Sequence, residues 1–295
     1  MSTLTLPDGR TYGYEQWGDP DGLPLFWIHG TPGGRLSRHP DATLWRRLGL
    51  RVITVDRPGY GLSTPQPGRA VSHIAADVAA VADHLGVGRF AVNGVSGGGP
   101  HALAIAALLG DRVLACAAVC SMAPVEPDEV AAMLEINRTG YRIMAEQGRA
   151  GIAEFLVPWR ERMLADPVAG LRAAQADSPE ADHEWRSRSD VQQVTAESIA
   201  DALAPGLEGW VDDSMSFVSE PWGFDPAAIS GSVQFWHSDD DANCPLSATR
   251  RLVSSVPGAR LTIWEGQGHT APSRNAEQVL TELISAAQAR TLAPS

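Results

Sequence analysis

One short segment, Gly-Val-Ser-Gly-Gly at residues 94–98, constrains this chain more than any other. An apolar run precedes it and helix-forming residues follow it, so the segment predicts a strand, a sharp turn and a helix. A turn this tight needs residues without side chains where the strand and the helix approach each other. It projects the hydroxyl of Ser96 at the carboxyl edge of a sheet, and the backbone N–H of Gly97 points to where an oxyanion would form.

Apolar strands alternate with amphipathic helices along the 295 residues, which is typical of a mostly parallel sheet covered on both faces. Strands are predicted at residues 4–6, 11–17, 25–29, 51–55, 90–93, 113–120, 233–237 and 260–264, and helices at residues 71–85 and 275–290. We therefore expect an α/β fold with an eight-stranded, doubly wound sheet. Its first two strands are predicted to form an antiparallel hairpin.

The alternation stops between residues 122 and 230, where helical stretches at 130–146 and 191–203 follow one another. Five prolines separate the helical stretches of this region: Pro127, Pro158, Pro167, Pro179 and Pro205. We interpret residues 122–230 as a helical lid inserted into a core domain that comprises residues 1–121 and 231–295.

The lid is rich in tryptophan, phenylalanine and methionine. Most of these side chains are expected to hold the lid together, but a lid over the strand ends also forms the roof of any pocket there. We expect Met122, Trp222 and Phe224 to line such a pocket.

Charge and cysteine content exclude several classes of protein. The net charge of −12 repels nucleic acid and anionic membrane surfaces, so we expect neither as a partner. No apolar run approaches the roughly 20 residues that span a bilayer, and the N-terminus lacks the pattern of a secretory signal. Three cysteines (Cys116, Cys120 and Cys244) show no zinc spacing. We expect a cytoplasmic monomer or homodimer with reduced thiols that acts on a small molecule.

Three further motifs follow predicted strands, at the edge where open α/β sheets bind ligands. The first, residues 29–34, is a glycine-rich turn in which Thr31 could supply a second oxyanion donor; a phosphate cradle is the competing interpretation, but the Lys-Ser/Thr ending of a P-loop is absent. The others are the acidic triplet 239–241 and the segment 266–269, which ends in His269. Each is ordinary alone, but together with Ser96 they give the order Ser, Asp, His.

Five motifs in order resemble those of the α/β-hydrolase superfamily of the lidded, serine-nucleophile type. They are His-Gly-Thr-Pro-Gly at 29–33, Asp-Arg-Pro-Gly-Tyr-Gly-Leu-Ser at 56–63, the serine turn at 94–98, the acidic loop before Pro245 and Gly-Gln-Gly-His at 266–269. The resemblance covers the chain except the lid. It implies a Ser-His-Asp triad that contains Ser96 and His269, and it implies that residues 56–63 form a structural loop beside the site.

The resemblance also selects the acid of the triad. Family members commonly read Trp-His-Gly-x-x-Asp, three residues and then Pro, and counting from either end of this pattern gives Asp241. Asp240 is the second choice. Some members place the acid after the preceding core strand, which makes Glu126 or Asp128 a further alternative.

These residues imply acyl transfer. Ser96 is expected to attack, His269 to move the proton and Asp241 to orient the imidazole, while the N–H groups of Thr31 and Gly97 bind the oxyanion. No metal or organic cofactor is required.

Carboxylic esters, including lactones and thioesters, are the first choice of substrate. The Thr-Pro-Gly turn also resembles that of prolyl iminopeptidases, although those enzymes usually carry tryptophan where this chain has Gly97. Carbon–carbon bond hydrolysis and a ligand receptor with little turnover are the remaining alternatives.

Overall fold

Eight strands form one sheet in the computed structural model, which describes residues 2–219 and 222–292. The strands are β1 (Ser2–Thr5), β2 (Thr11–Gly18), β3 (Leu23–Ile28), β4 (Leu50–Val55), β5 (Phe90–Val95), β6 (Val113–Val119), β7 (Val233–Ser238) and β8 (Arg260–Trp264). Their order is β1-β2-β4-β3-β5-β6-β7-β8. β2 pairs antiparallel with β1 and β4, and all other neighbours are parallel. The predicted α/β fold class is confirmed.

Helices cover the sheet, and several of them follow one another in the chain between β6 and β7. They are α1 (Leu44–Arg47), α2 (Ile74–His84), α3 (Gly98–Leu108), α4 (Pro127–Ala131), α5 (Glu135–Ala165), α6 (Pro167–Ala174), α7 (Glu180–Arg186), α8 (Ser189–Leu203), α9 (Glu208–Val218), α10 (Leu246–Ser254), α11 (Ala271–Arg274) and α12 (Ala276–Leu292). Two 3₁₀ turns lie at Val71–His73 and Pro226–Ala228.

Alternate residues of the strands supply two separate cores, because successive side chains of a strand point to opposite faces. Phe26 and Val92 pack on one face with apolar residues of α2, α3 and α10. Leu25 and Ala91 pack on the other face with residues of α1 and α12. The sheet is therefore covered on both sides, as the apolar strand sequences predict.

The lid has a core of its own. Ile152 and Leu156 of α5, Leu203 of α8 and Trp210 of α9 pack together, and Tyr60 of the core domain joins them. No strand lies between β6 and β7 among the described residues of the lid. The loops that follow β3, β5, β7 and β8 open toward the lid, since parallel strands end at one edge of the sheet.

Some predicted boundaries are wrong. The helix predicted at 130–146 is split into α4 and α5, because the N–H of Leu134 donates to the carbonyl of Ala242 at 2.8 Å. Pro158 lies inside α5 and does not separate helices; the interruption is at Gly148, whose φ of 60° and ψ of −150° suit glycine.

The first strand is Ser2–Thr5 and not residues 4–6. Leu6 already belongs to the turn, where its carbonyl accepts from the N–H of Gly9 at 2.9 Å. Between residues 2 and 292, apart from the undescribed pair 220–221, no helix is both long and apolar enough to cross a membrane.

Candidate active site

The turn between β5 and α3 holds Ser96 in a backbone conformation that few residues adopt. Its φ is +54°, in the left-handed region. A side chain on Gly94 would lie 2.2 Å from the carbonyl oxygen of Gly98, and one on Gly98 would lie 2.2 Å from that of Ile28. Glycine is therefore required on both sides of the serine, and the surrounding contacts hold the strained turn in place.

Three loops bring Ser96, His269 and Asp241 into one hydrogen-bonded chain. Nε2 of His269 lies 3.0 Å from Oγ of Ser96, and Nδ1 lies 2.8 and 3.0 Å from the carboxylate oxygens of Asp241. The backbone N–H groups of Asn243 and Cys244 each donate to Asp241 at 2.9 Å and fix its orientation. Because Asp241 accepts the Nδ1 proton, Nε2 is free to accept the proton of Ser96.

Charge prepares His269 to act as a base. Burial lowers the pKa of its imidazole, but the charge and the hydrogen bond of Asp241 raise it by more. The pKa of His269 therefore lies above the ordinary value of 6.5. Burial also opposes ionisation of Asp241, but His269 outweighs it and holds the pKa of that carboxyl below its usual range. The acid is therefore ionised and the imidazole is a stronger base than a free one.

The other candidate acids lie elsewhere. Asp240 and Asp239 are exposed, and Asp239 accepts from the N–H of Gly266 at 2.8 Å. Glu126 and Asp128 are exposed at the start of α4, where Glu126 pairs with Arg251 at 3.5 Å. None of the three alternatives left open by the sequence, Asp240, Glu126 and Asp128, hydrogen-bonds to the imidazole in the described part of the chain.

The turn after β3 places Thr31 against the start of α3. A side chain on Gly97 would lie 2.4 Å from Oγ1 of Thr31, so only glycine allows this approach. Neither the backbone N–H of Thr31 nor that of Gly97 donates to an acceptor within the described residues. Two N–H groups without a protein partner beside Ser96 are the donors that a developing oxyanion needs.

A buried carboxylate of the lid fixes Thr31 from behind. Asp213 of α9 accepts from the hydroxyl of Thr31 at 2.7 Å, from the hydroxyl of Tyr60 at 3.0 Å, from Nε of Arg57 at 3.2 Å and from Arg69. Burial disfavours the charge of Asp213, but Arg57 and Arg69 outweigh it and hold the pKa of Asp213 far below its usual range. The ionised carboxylate of Asp213 thus joins the lid to the turn after β3 and to the loop after β4.

A second lid carboxylate holds the segment that carries His269. Asp182 of α7 is fully buried and accepts from the backbone N–H of His269 at 2.9 Å. It also accepts from the N–H and the hydroxyl of Thr270, at 2.8 and 2.7 Å. No motif marked Asp182, because its partners lie 87 and 88 residues further along the chain. Sequence reasoning therefore missed it.

A third lid carboxylate, Asp201 of α8, pairs with Arg35 at 2.6 Å. Arg35 also pairs with Asp56 at 2.8 Å, and Asp56 accepts from the N–H of Leu62 at 2.9 Å. These contacts give the loop at 56–63 a structural role. Its first residue, Asp56, is buried and forms an ion pair with Arg35, which also pairs with Asp201 of the lid.

An uncharged cavity of about 120 Å³ opens on Ser96. It is lined by Thr31, Pro32, Ser96, Met122, Ile136, Asn137, Gly140, Tyr141, Met144, Ile152, Phe155, Leu156, Met163, Leu171, Ala174, Gln175, Trp210, Ser214, Phe217, Asn243 and Cys244. None of these residues bears a charge. Most of the wall comes from the lid.

The predicted pocket residues are only partly found there. Met122 lines the cavity, but the prediction is wrong for Trp222 and Phe224. Their rings stack with centroids 6.2 Å apart and line a separate depression beside Pro124. Trp222 is buried in the core, where its indole N–H donates to the carbonyl of Phe217 at 3.1 Å.

A second cavity, of about 280 Å³, lies on the imidazole side. It is lined by His269, Gly30, Trp185 and Arg186 among others, and it shares Leu171 and Gln175 with the first cavity. Ser96 lines only the first cavity and His269 only the second. The hydrogen-bonded pair of Ser96 and His269 therefore lies where the two cavities approach each other.

Three possible metal ligands also meet here. The thiol of Cys120, a carboxylate oxygen of Asp241 and a ring nitrogen of His269 lie within 4.8 Å of one another. Burial raises the pKa of the Cys120 thiol well above its usual value, which opposes the thiolate that a metal needs. Asp241 and His269 already hydrogen-bond to each other, so this donor set is better suited to proton transfer.

Comparison with known proteins shows the family of this chain. Residues 24–274 match the sequence model of the alpha/beta hydrolase fold. The chain belongs to the α/β hydrolase family. This α/β hydrolase is 24% identical to a bifunctional esterase/perhydrolase of Acinetobacter calcoaceticus, over 96% of this chain and 98% of the relative.

It is also 31% identical to a proline iminopeptidase of Neisseria meningitidis serogroup B, over 88% of this chain and 86% of the relative. A solved thermophilic esterase of Thermogutta terrifontis shares the fold with a TM-score of 0.65 and 22% identity, over 98% of both chains.

Replacing Asp241 by asparagine should lower kcat of this α/β hydrolase by about 10⁴-fold, because an amide favours the wrong imidazole tautomer and cannot stabilise the imidazolium. Steady-state kinetics on an activated ester, with circular dichroism to verify folding, measure the loss. Asp240→Asn and Asp239→Asn are the matched controls and should be close to wild type. Near-normal turnover in Asp241→Asn would show that the acid lies elsewhere.

Replacing Asp182 by asparagine should reduce kcat by about 10-fold to 100-fold with little change in KM, because asparagine has one acceptor oxygen where Asp182 uses both, and the segment that carries the imidazole is held less firmly. It should also shift the acidic limb of the kcat/KM profile to lower pH. We expect neutral His269 to be the active base, and the charge of Asp182 raises the pKa of that imidazole. Without the charge, a lower pH is needed to protonate the base.

Glu184→Gln removes one exposed charge from the same helix and is the control for Asp182→Asn. It should leave both the rate and the pH profile unchanged. An Asp182→Asn enzyme with a wild-type acidic limb would contradict an electrostatic influence of Asp182 on His269.

Proposed function

We propose that this α/β hydrolase is a serine hydrolase that cleaves small, uncharged carboxylic esters through an acyl-enzyme. The observation that carries the proposal is the hydrogen-bonded chain of Ser96, His269 and Asp241 at the mouth of an uncharged cavity. The esterase/perhydrolase relative supports the same bond type.

The chemistry follows from the positions of the atoms. Nε2 of His269 takes the hydroxyl proton as Oγ of Ser96 bonds to the substrate carbonyl carbon, and the N–H groups of Thr31 and Gly97 bind the oxyanion. The bond to the alcohol oxygen then breaks, and His269 gives its proton to that oxygen. Water attacks the acyl-enzyme by the same route and releases the acid.

The two cavities suggest which part of the ester lies where. The leaving alcohol must receive its proton from His269, which lines the second cavity. The acyl group, bonded to Ser96, then occupies the first cavity, on the side that His269 does not line. We therefore assign the uncharged cavity under the lid to the acyl group.

Prolyl iminopeptidase activity is the second candidate, favoured by the relative in Neisseria meningitidis. Such a substrate carries a cationic α-amino group, which in a buried site needs a carboxylate partner. No aspartate or glutamate lines the first cavity among the described residues. The lining therefore favours neutral esters over peptides with a free amino terminus.

Incubation with a fluorophosphonate should add one adduct to the wild-type protein and none to Ser96→Ala, because only an activated serine attacks the phosphorus. Intact-protein mass spectrometry measures the adduct. Ser121→Ala, which removes another buried hydroxyl, is the control and should still be labelled. Equal labelling of Ser96→Ala would refute the assignment of the nucleophile.

The acyl cavity should favour longer saturated chains until it is full. Each buried methylene contributes about 0.8 kcal/mol, which corresponds to about a fourfold gain in kcat/KM. A series of 4-nitrophenyl esters from acetyl to hexanoyl measures this dependence. A flat or falling series would contradict an apolar acyl site, and a higher kcat/KM on a prolyl amide than on every ester would favour the iminopeptidase.

A further inference from the structure

Several polar groups in the wall of the acyl cavity have no hydrogen-bond partner among the described residues. Tyr141 of α5 lines the cavity, and its hydroxyl forms no hydrogen bond with any residue that the structure describes. Burial raises the pKa of this phenol well above its usual value, so it keeps its proton and remains a hydrogen-bond donor. A neutral donor without a partner thus belongs to the wall of the cavity that contains Ser96.

Two carboxamides of the same cavity are also incompletely bonded. Nδ2 of Asn137 donates to Oδ1 of Asn243 at 3.2 Å, but Nδ2 of Asn243 is buried without a partner among the described residues. The same holds for Oε1 of Gln175. Buried polar groups are normally hydrogen-bonded, because leaving them unpaired is unfavourable. Several unpaired groups around one cavity can hydrogen-bond to a polar ligand.

Other polar groups of the cavity wall are satisfied by the protein. Oγ of Ser214 donates to the carbonyl of Trp210 at 2.9 Å, and the hydroxyl of Thr31 is bonded to Asp213. Only some polar groups of the wall, those of Tyr141, Asn243 and Gln175, are therefore free to hydrogen-bond to a ligand.

We propose that Tyr141 donates a hydrogen bond to an oxygen in the acyl part of the substrate, so that the preferred esters carry a carbonyl, ether or hydroxyl oxygen beyond the scissile bond. This inference rests on the proposed ester hydrolysis and on the assignment of the cavity to the acyl group. A purely aliphatic acyl chain fills the same space but leaves the phenol unpaired. A site built to hydrogen-bond a substrate group discriminates against analogues that lack it.

The test compares matched 4-nitrophenyl esters: 4-oxopentanoate against pentanoate, and 5-oxohexanoate against hexanoate. For the wild-type enzyme, at least one oxo ester should exceed its aliphatic partner in kcat/KM by about tenfold, which corresponds to one well-placed hydrogen bond. In Tyr141→Phe this ratio should fall to about one, because the oxo esters lose a hydrogen bond that the aliphatic esters never form. Ser214→Ala, which removes a hydroxyl already bonded to the protein, should keep the wild-type ratio.

Three results would overturn the inference. The first is a wild-type ratio at or below one for both pairs, which needs no variant and so does not depend on folding. The second is an unchanged ratio in folded Tyr141→Phe, and the third is an equal loss on all four esters in that variant. Failure of the proposed function looks different: the wild-type protein would then neither react with a fluorophosphonate nor hydrolyse any ester of the set.

Discussion

The carboxylate of Asp213 lies on the lid, but all the cations that neutralise it belong to the core domain. Arg57 and Arg69 both donate to it, and Arg57 also donates to the carbonyls of His29 and Gly30. Removing one partner of a buried ion pair costs about 3–5 kcal/mol, because the other charge is left unpaired in a medium of low polarity. The lid and the turn that presents the oxyanion donors are therefore parts of one folded unit.

Two other aspartates of the lid also bind loops at the carboxyl edge of the sheet. Asp182 anchors the segment of His269, and Asp201 pairs with Arg35, which in turn holds Asp56. Together the three lid aspartates reach the loops that follow β3, β4 and β8. The loops of the candidate active site are thus held from the sheet below and from the lid above. Such preorganisation is what makes electrostatic stabilisation of a transition state effective.

The sequence predicted what depends on local pattern and failed where distant residues meet. Strands and the serine turn could be predicted because apolar alternation and glycines act within a few residues. Trp222 and Phe224 were misplaced, since composition shows that a region is apolar but not which face each ring takes. The roles of Asp182 and Asp213 could not be foreseen, because their partners are 87 or more residues away in the chain.

The distribution of these charges also bears on how such a protein can evolve. A lid joined to its scaffold by loosely packed apolar faces could be exchanged for another by recombination. Here a foreign insertion without acids at the positions of Asp201 and Asp213 would leave the guanidinium groups of Arg35, Arg57 and Arg69 with too few partners. New substrate ranges are therefore more accessible through point changes on the inner wall of the existing lid than through replacement of the whole segment.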